Sequence, residues 1–218
     1  MAVFAPVLYN GMYGDYFTSD KHQVAGKARF MVYKFDEINV LVADSEPAIG
    51  ELIRQVLYDF GARCHVEVDG NSALRYFERT NPDLIIVDWD LAGLNGVEFT
   101  KSIRSNQKNP YVPIIFMTAL SSKKRVTAAR DSGITEFARK PFSAISLYER
   151  IERIVEKPRP FVRSTDFFGP DRRVRSKEIF KEKDRRAFTP RLEKIPDVKR
   201  TIKKVSSHDR PARARRSS

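Results

Sequence analysis

With a single cysteine in 218 residues, Cys64, the chain cannot form an internal disulfide, and it fits a reducing compartment. Long apolar runs are missing as well: none approaches the ~20 residues that a membrane-spanning helix needs. The N-terminus lacks a basic start followed by an apolar stretch, so no signal peptide is expected. His65 has no cysteine or histidine at metal-binding spacing and is expected to be an exposed strand residue. No helix-turn-helix or zinc motif supports sequence-specific DNA binding. These absences leave a cytoplasmic protein as the expectation.

Excess charge is also absent from most of the chain. The net charge is +12, yet residues 158–218 hold 20 basic and 8 acidic residues, while residues 1–157 hold 20 of each. The basic pI of about 9.9 therefore describes the tail and says nothing about the rest.

What is present is a periodic centre. Residues 1–35 are rich in glycine and aromatics without a sustained period, and read as a loosely ordered extension. Within 36–157, short apolar runs at Ile38–Ala43, Leu84–Val87, Ile114–Met117 and Ile134–Ala138 are separated by helix-like stretches. Arg63–Val68 is a more polar fifth strand suited to a sheet edge. Ile49, Leu52, Ile53, Val56, Leu57 and Phe60 form one apolar helical stripe that ends at Gly61. Further helices are predicted at about 71–80, 96–106, 122–132 and 143–156. Alternating strands and helices with nearly continuous apolar strands imply a parallel α/β sheet covered on both faces. The expected fold is doubly wound and five-stranded, because right-handed crossovers leave few other topologies.

After Glu156 the texture changes. Six prolines between Pro158 and Pro211 break up any long helix, and only isolated apolar residues remain, among them Phe167, Phe168, Ile179 and Phe180. Residues 158–218 are expected to be a basic, largely disordered tail, with one helical segment allowed at 174–187. Phe167-Phe168-Gly169-Pro170-Asp171-Arg172-Arg173 mixes aromatics with charge, as a docking peptide does. Runs such as Arg213-Ala214-Arg215-Arg216 leave nonspecific affinity for nucleic acid or acidic membranes open.

In an open parallel sheet, chemistry gathers beyond the carboxyl ends of the strands. The first strand ends in Asp44, Ser45 and Glu46, the third in Asp88, the fourth in Thr118, and the fifth in Lys140 followed by Pro141. Clustered carboxylates repel one another unless a cation joins them, and Mg²⁺ is suited to one or two carboxylates plus waters. Lysine can pair with a phosphoryl oxygen, and a threonine hydroxyl can donate to another. Asp88 follows the most apolar run and is the best candidate nucleophile.

Val42-Ala43-Asp44-Ser45-Glu46-Pro47, Ile85-Ile86-Val87-Asp88-Trp89-Asp90, Leu94-Asn95-Gly96, Phe116-Met117-Thr118-Ala119 and Phe137-Ala138-Arg139-Lys140-Pro141-Phe142 together resemble the receiver domain of two-component response regulators. The resemblance implies a flavodoxin-like receiver fold over 36–157. It also implies a phosphoacceptor signalling protein rather than an enzyme, one that catalyses transfer onto its own Asp88 from a histidine kinase or phosphotransfer protein. Mg²⁺ would be held by Asp44, Asp88 and the backbone carbonyl of Asp90, with Glu46 in reserve. Thr118 and Phe137 would change position on phosphorylation, and the Lys140–Pro141 bond would be cis. A downstream partner would bind the surface of 122–132, 134–139 and 143–156, where Lys123, Lys124 and Arg125 form a basic patch. One departure stands out: Ser45 occupies the place of a second acidic residue, so metal affinity should fall. Asp90 adds a carboxylate close by, and Trp89 is expected to pack locally. The alternative reading is a degenerate, phosphorylation-independent adaptor whose basic tail binds a partner or nucleic acid.

Overall fold

A computed structural model of the chain describes residues 33–119, 123–171, 191–193 and 203–204. In chain order the elements are β1 (Tyr33–Lys34), β2 (Asn39–Ala43), α1 (Pro47–Asp59), β3 (Arg63–Glu67), α2 (Gly70–Thr80), β4 (Leu84–Asp88), α3 (Gly96–Ser105) and β5 (Ile114–Thr118). They are followed by α4 (Lys123–Ser132), β6 (Glu136–Arg139), α5 (Ala144–Glu156), β7 (Phe161–Arg163), β8 (Phe168–Pro170), β9 (Arg191–Glu193) and β10 (Lys203–Lys204). Five of the strands make a parallel sheet in the order β3-β2-β4-β5-β6.

Alternation along each strand builds two cores. Val40 and Val42 point to the side covered by α1 and α5, where they meet Ile53, Leu57, Leu147 and Ile151. Leu41 and Ala43 point to the opposite side, against Phe77, Phe99, Ile103 and Ala129 of α2, α3 and α4. Strands β4 and β5 are buried at every position, which explains their uninterrupted apolar reading. β3 lies at the edge and is mostly half-buried, as its polar sequence predicts. His65 there is half-exposed, stacked on Tyr76 at 3.9 Å and hydrogen-bonded to Glu67 at 2.9 Å.

The elements fall close to their sequence expectations, with one shift. The last parallel strand begins at Glu136 and not at Ile134, because Thr135 bends back to serve β5: its hydroxyl accepts a hydrogen bond from the Ile114 amide at 3.0 Å. Ile134 still joins the core, 7% exposed.

The tail differs more. Residues 158–171 are not a structureless continuation, and Lys157 does not end the packed region. β7 is flanked antiparallel by β8 and β9. Phe161 is 1% exposed, packed edge-on against Tyr111 at 5.2 Å and tilted against Phe168 at 5.3 Å. Beneath it lies Arg104, whose guanidinium is 5.2 Å from the Phe161 ring centroid and donates to the carbonyls of Gly133, Pro110 and Val112 at 2.7–2.8 Å. Burial pushes the Arg104 pKa down to about 9. Arg159 reaches back to Glu136 at 3.1 Å. Of the stretch Phe167–Arg173 read as a docking peptide, the described part brings Phe168 against the chain's own Tyr111 and Phe161.

The close fit depends on glycine. Gly133 has φ +94°, and a Cβ there would stand 2.8 Å from the Phe168 carbonyl oxygen. A Cβ on Gly169 would in turn meet the Gly133 backbone at 2.8 Å. From the N-terminal extension, β1 pairs antiparallel with β10. The helical segment allowed at 174–187 and the aromatic-rich stretch before residue 33 lie outside the described residues.

Candidate functional site

β2, β4, β5 and β6 bring Asp44, Asp88, Thr118 and Lys140 together at their carboxyl ends, where the strand order reverses between β2 and β4. Asp44 is 1% exposed and Asp88 8%. The Lys140 ammonium spans them, 2.7 Å from Asp44 Oδ2 and 3.1 Å from Asp88 Oδ1. Its backbone N–H donates to the Thr118 carbonyl at 3.0 Å, and the Lys140–Pro141 peptide bond is cis. The Thr118 side chain is buried beside them.

The electrostatics follow from crowding charge in a half-dry corner. Burial raises the Asp44 pKa above the ordinary carboxylate value, and the nearby Asp88 charge adds to the rise. The hydrogen bonds from Lys140 and from the Glu46 amide, at 3.0 Å, offset only part of it. For Lys140, burial alone would lower the pKa, but the combined pull of Asp44 and Asp88 outweighs it and holds the ammonium above its usual range. Both values rise, with opposite consequences: the Asp44 rise, led by burial, favours the neutral acid, while the Lys140 rise, driven by two opposite charges, favours the charged ammonium.

Local sequence explains the turn that follows Asp88. Asn95 caps α3 through a reciprocal capping box with Glu98. Gly96 follows because a Cβ there would stand 2.2 Å from the Asp88 carbonyl oxygen. The Gly96 amide donates to the Trp89 carbonyl at 3.0 Å, which closes the β4–α3 turn. A parallel bridge between Asp69 and Ala92 holds this turn to the β3–α2 loop.

The remaining sequence candidates sit elsewhere. Glu46 is exposed at the N-cap of α1 and makes no capping bond with its side chain. The Asp90 carboxylate does not turn toward Asp88; it is 70% exposed and lies 3.5 Å from the Arg125 guanidinium. Arg125, expected in a basic patch with Lys123 and Lys124, also lies over Trp89, its guanidinium 5.0 Å from the ring centroid. Trp89 packs edge-on against Phe116, and Phe116 against Phe137 on β6 at 6.3 Å. Ser45 donates its hydroxyl to the Asp90 carbonyl at 2.7 Å. No spacing in the sequence points to this bond or to the Arg125 contact, since both join residues 35 or more positions apart.

Among the described residues no three His, Cys, Asp or Glu side chains cluster as a metal site. The donor chemistry nonetheless fits a hard cation: two carboxylates and the Asp90 carbonyl, all oxygen. Magnesium characteristically takes one or two carboxylates and completes its shell with water.

A sheet of this order with this set of side chains at its carboxyl ends defines a receiver domain of two-component signalling. The chain belongs to the response regulator receiver domain family, which it matches over residues 40–152. Chemotaxis protein CheY of Pseudomonas aeruginosa is 27% identical over 121 residues, 55% of this chain and 98% of that protein. The crystal structure of chemotaxis protein CheY4 of Vibrio cholerae superposes with a TM-score of 0.52 at 26% identity, covering 54% of this chain and 98% of that one. A receiver domain from a sensor histidine kinase of Pseudomonas aeruginosa, solved with magnesium coordinated in its active-site cleft, gives 0.50 at 29% identity over 53% and 94% of the two chains. The family match ends before β7, so the docked segment is an addition to the shared fold. Among the described residues no helix is long and apolar enough to cross a membrane.

Proposed function

We propose that Asp88 accepts a phosphoryl group from a histidine kinase or phosphotransfer protein in the cytoplasm, and that the phosphorylated chain signals by binding another protein. The observation that carries this reading is the Lys140 ammonium spanning Asp44 and Asp88 at the mouth of the sheet. Asp88 is the acceptor because it is nearly buried yet faces that mouth, on a strand buried throughout. Its carboxylate attacks phosphorus as the P–N bond to the donor imidazole breaks, and the electron pair leaves with the nitrogen. Lys140 pairs with a phosphoryl oxygen as a point charge, and the Thr118 hydroxyl donates to another. Mg²⁺ held by Asp44, Asp88 and the Asp90 carbonyl would neutralise charge on the incoming group. The magnesium in the cleft of the sensor-kinase receiver supports that assignment.

Incubation with acetyl phosphate and Mg²⁺ is expected to add one phosphoryl group by intact mass, and Asp88→Asn to abolish the gain completely. An adduct that persists in Asp88→Asn identifies a different acceptor. No adduct on the unaltered chain favours the second reading, a phosphorylation-independent adaptor, which Ser45 in place of a carboxylate supports.

The signal runs from Thr118 to β6. Phe116 and Phe137 face each other across β5 and β6, so movement of Thr118 toward a phosphoryl group loosens the packing that holds Phe137. The face of α4, β6 and α5 is the proposed partner surface. Thr118→Ala is expected to leave phosphorylation largely intact and uncouple it from amide-exchange changes in 118–150. Changes confined to 158–171 would redirect the route to the docked segment.

A further inference from the structure

Ser45 occupies the position where a carboxylate would extend the metal site, and its hydroxyl is already engaged. Its proton is directed at the Asp90 carbonyl oxygen, 2.7 Å away, the same oxygen proposed to face Mg²⁺. A hydroxyl has one proton and two lone pairs. While that proton lies between the two oxygens, it stands where a cation shared by them would sit, and positive charge repels positive charge. The hydroxyl must turn away before either oxygen can take part in a metal shell that includes both.

We infer that Ser45 is a clasp and not a ligand: its hydroxyl ties the β4–α3 loop to the end of β2 through the Asp90 carbonyl and competes with Mg²⁺ for that oxygen. This deepens the phosphoacceptor reading, on whose metal assignment it rests. The clasp joins residues 45 positions apart, at the only point where β2's exit touches the loop through a side chain of that turn among the described hydrogen bonds. Asp90 is free to present its carbonyl there because its carboxylate faces outward to Arg125. Ser45 itself is exposed, so replacing it removes the bond without opening the core.

The sign of the effect separates the two roles. A ligand's removal weakens metal binding. Removal of a competitor strengthens it, because a water readily completes the magnesium shell. One neutral hydrogen bond corresponds to about a three- to tenfold change in affinity. Titration of the full chain with Mg²⁺ alone, followed by calorimetry and by emission of Trp89, the single tryptophan, is the test. Ser45→Ala is expected to lower the Mg²⁺ Kd about three- to tenfold, Ser45→Thr to stay near the unaltered chain, and Ser45→Asp to bind most tightly. With EDTA present, amides of residues 89–95 are expected to exchange faster in Ser45→Ala than in the unaltered chain. Equal or weaker Mg²⁺ binding by Ser45→Ala overturns the clasp, as does unchanged exchange of that loop. No Mg²⁺ binding by any of these proteins overturns it as well. Intact mass after acetyl phosphate reports separately on Asp88, so the clasp can fall while the acceptor stands.

Discussion

The two ends of the central sheet handle buried charge in opposite ways. At the carboxyl end, one ammonium is held between two carboxylates, those of Asp44 and Asp88. At the amino end, Arg104 has no carboxylate among its described hydrogen-bond partners; three backbone carbonyls and the face of Phe161 surround it. The first arrangement is costly and adjustable, since a proton, a cation or a phosphoryl group each changes the balance. The second is fixed, because carbonyls neither titrate nor leave. The proposed chemistry falls at the end that is electrostatically unsettled.

The largest stability effect is expected at the fixed end. Phe161→Ala removes a fully buried ring that also covers Arg104, and should cost about 3–5 kcal/mol in urea unfolding. A chain ending at Lys157 should lose at least as much, whereas unchanged stability would mean that β7 merely rests on the domain.

A smaller effect of opposite sign is expected at the reactive end. Because burial raises the Asp44 pKa in the folded chain, the native state holds that proton more tightly than the unfolded state. Ionised Asp44 therefore costs stability at neutral pH, and the cost vanishes as pH falls through the raised folded value toward 4. Asp44→Asn should raise Tm at pH 7 and change it little near pH 4. A lower Tm at pH 7 would show that pairing with Lys140 dominates over burial.

The smallest effect is expected at the exposed rim of the carboxyl end. The Arg125 contacts with Asp90 and Trp89 are largely exposed, so Arg125→Ala should change stability by less than about 1 kcal/mol while shifting Trp89 emission. Unaltered emission would place Arg125 elsewhere in solution.

The reactive end was largely legible in the sequence and the fixed end was not, for a physical reason. Asp44, Asp88, Thr118 and Lys140 each terminate an apolar run, and a parallel sheet must gather such termini. Arg104 sits in an amphipathic helix and looks like any surface arginine, since the carbonyls it satisfies come from loops and turns with no side-chain code. Strands β7 and β8 are three residues each, too short to show a period, and prolines around them mimic a linker. What marks them in hindsight is Phe161 and Phe168, paired by a turn in which the Ser164 amide donates to the Phe167 carbonyl at 2.8 Å. The Ser45 clasp was invisible for another reason: residue type alone says that a carboxylate is missing, but only geometry says what the hydroxyl does instead.

The contact between Gly133 and Gly169 has a consequence for genetics. Backbone rests on backbone there, so the smallest possible side chain acts as a wedge, and no neighbouring side chain can shrink to make room. Alleles at either glycine would lift the C-terminal segment from the domain while leaving Asp44, Asp88, Thr118 and Lys140 as they are, at the opposite end of the sheet. Two phenotypes should therefore separate: loss of the proposed phosphoryl acceptance, by alleles at Asp88, and loss of whatever the C-terminal segment contributes, by alleles at a pair of glycines.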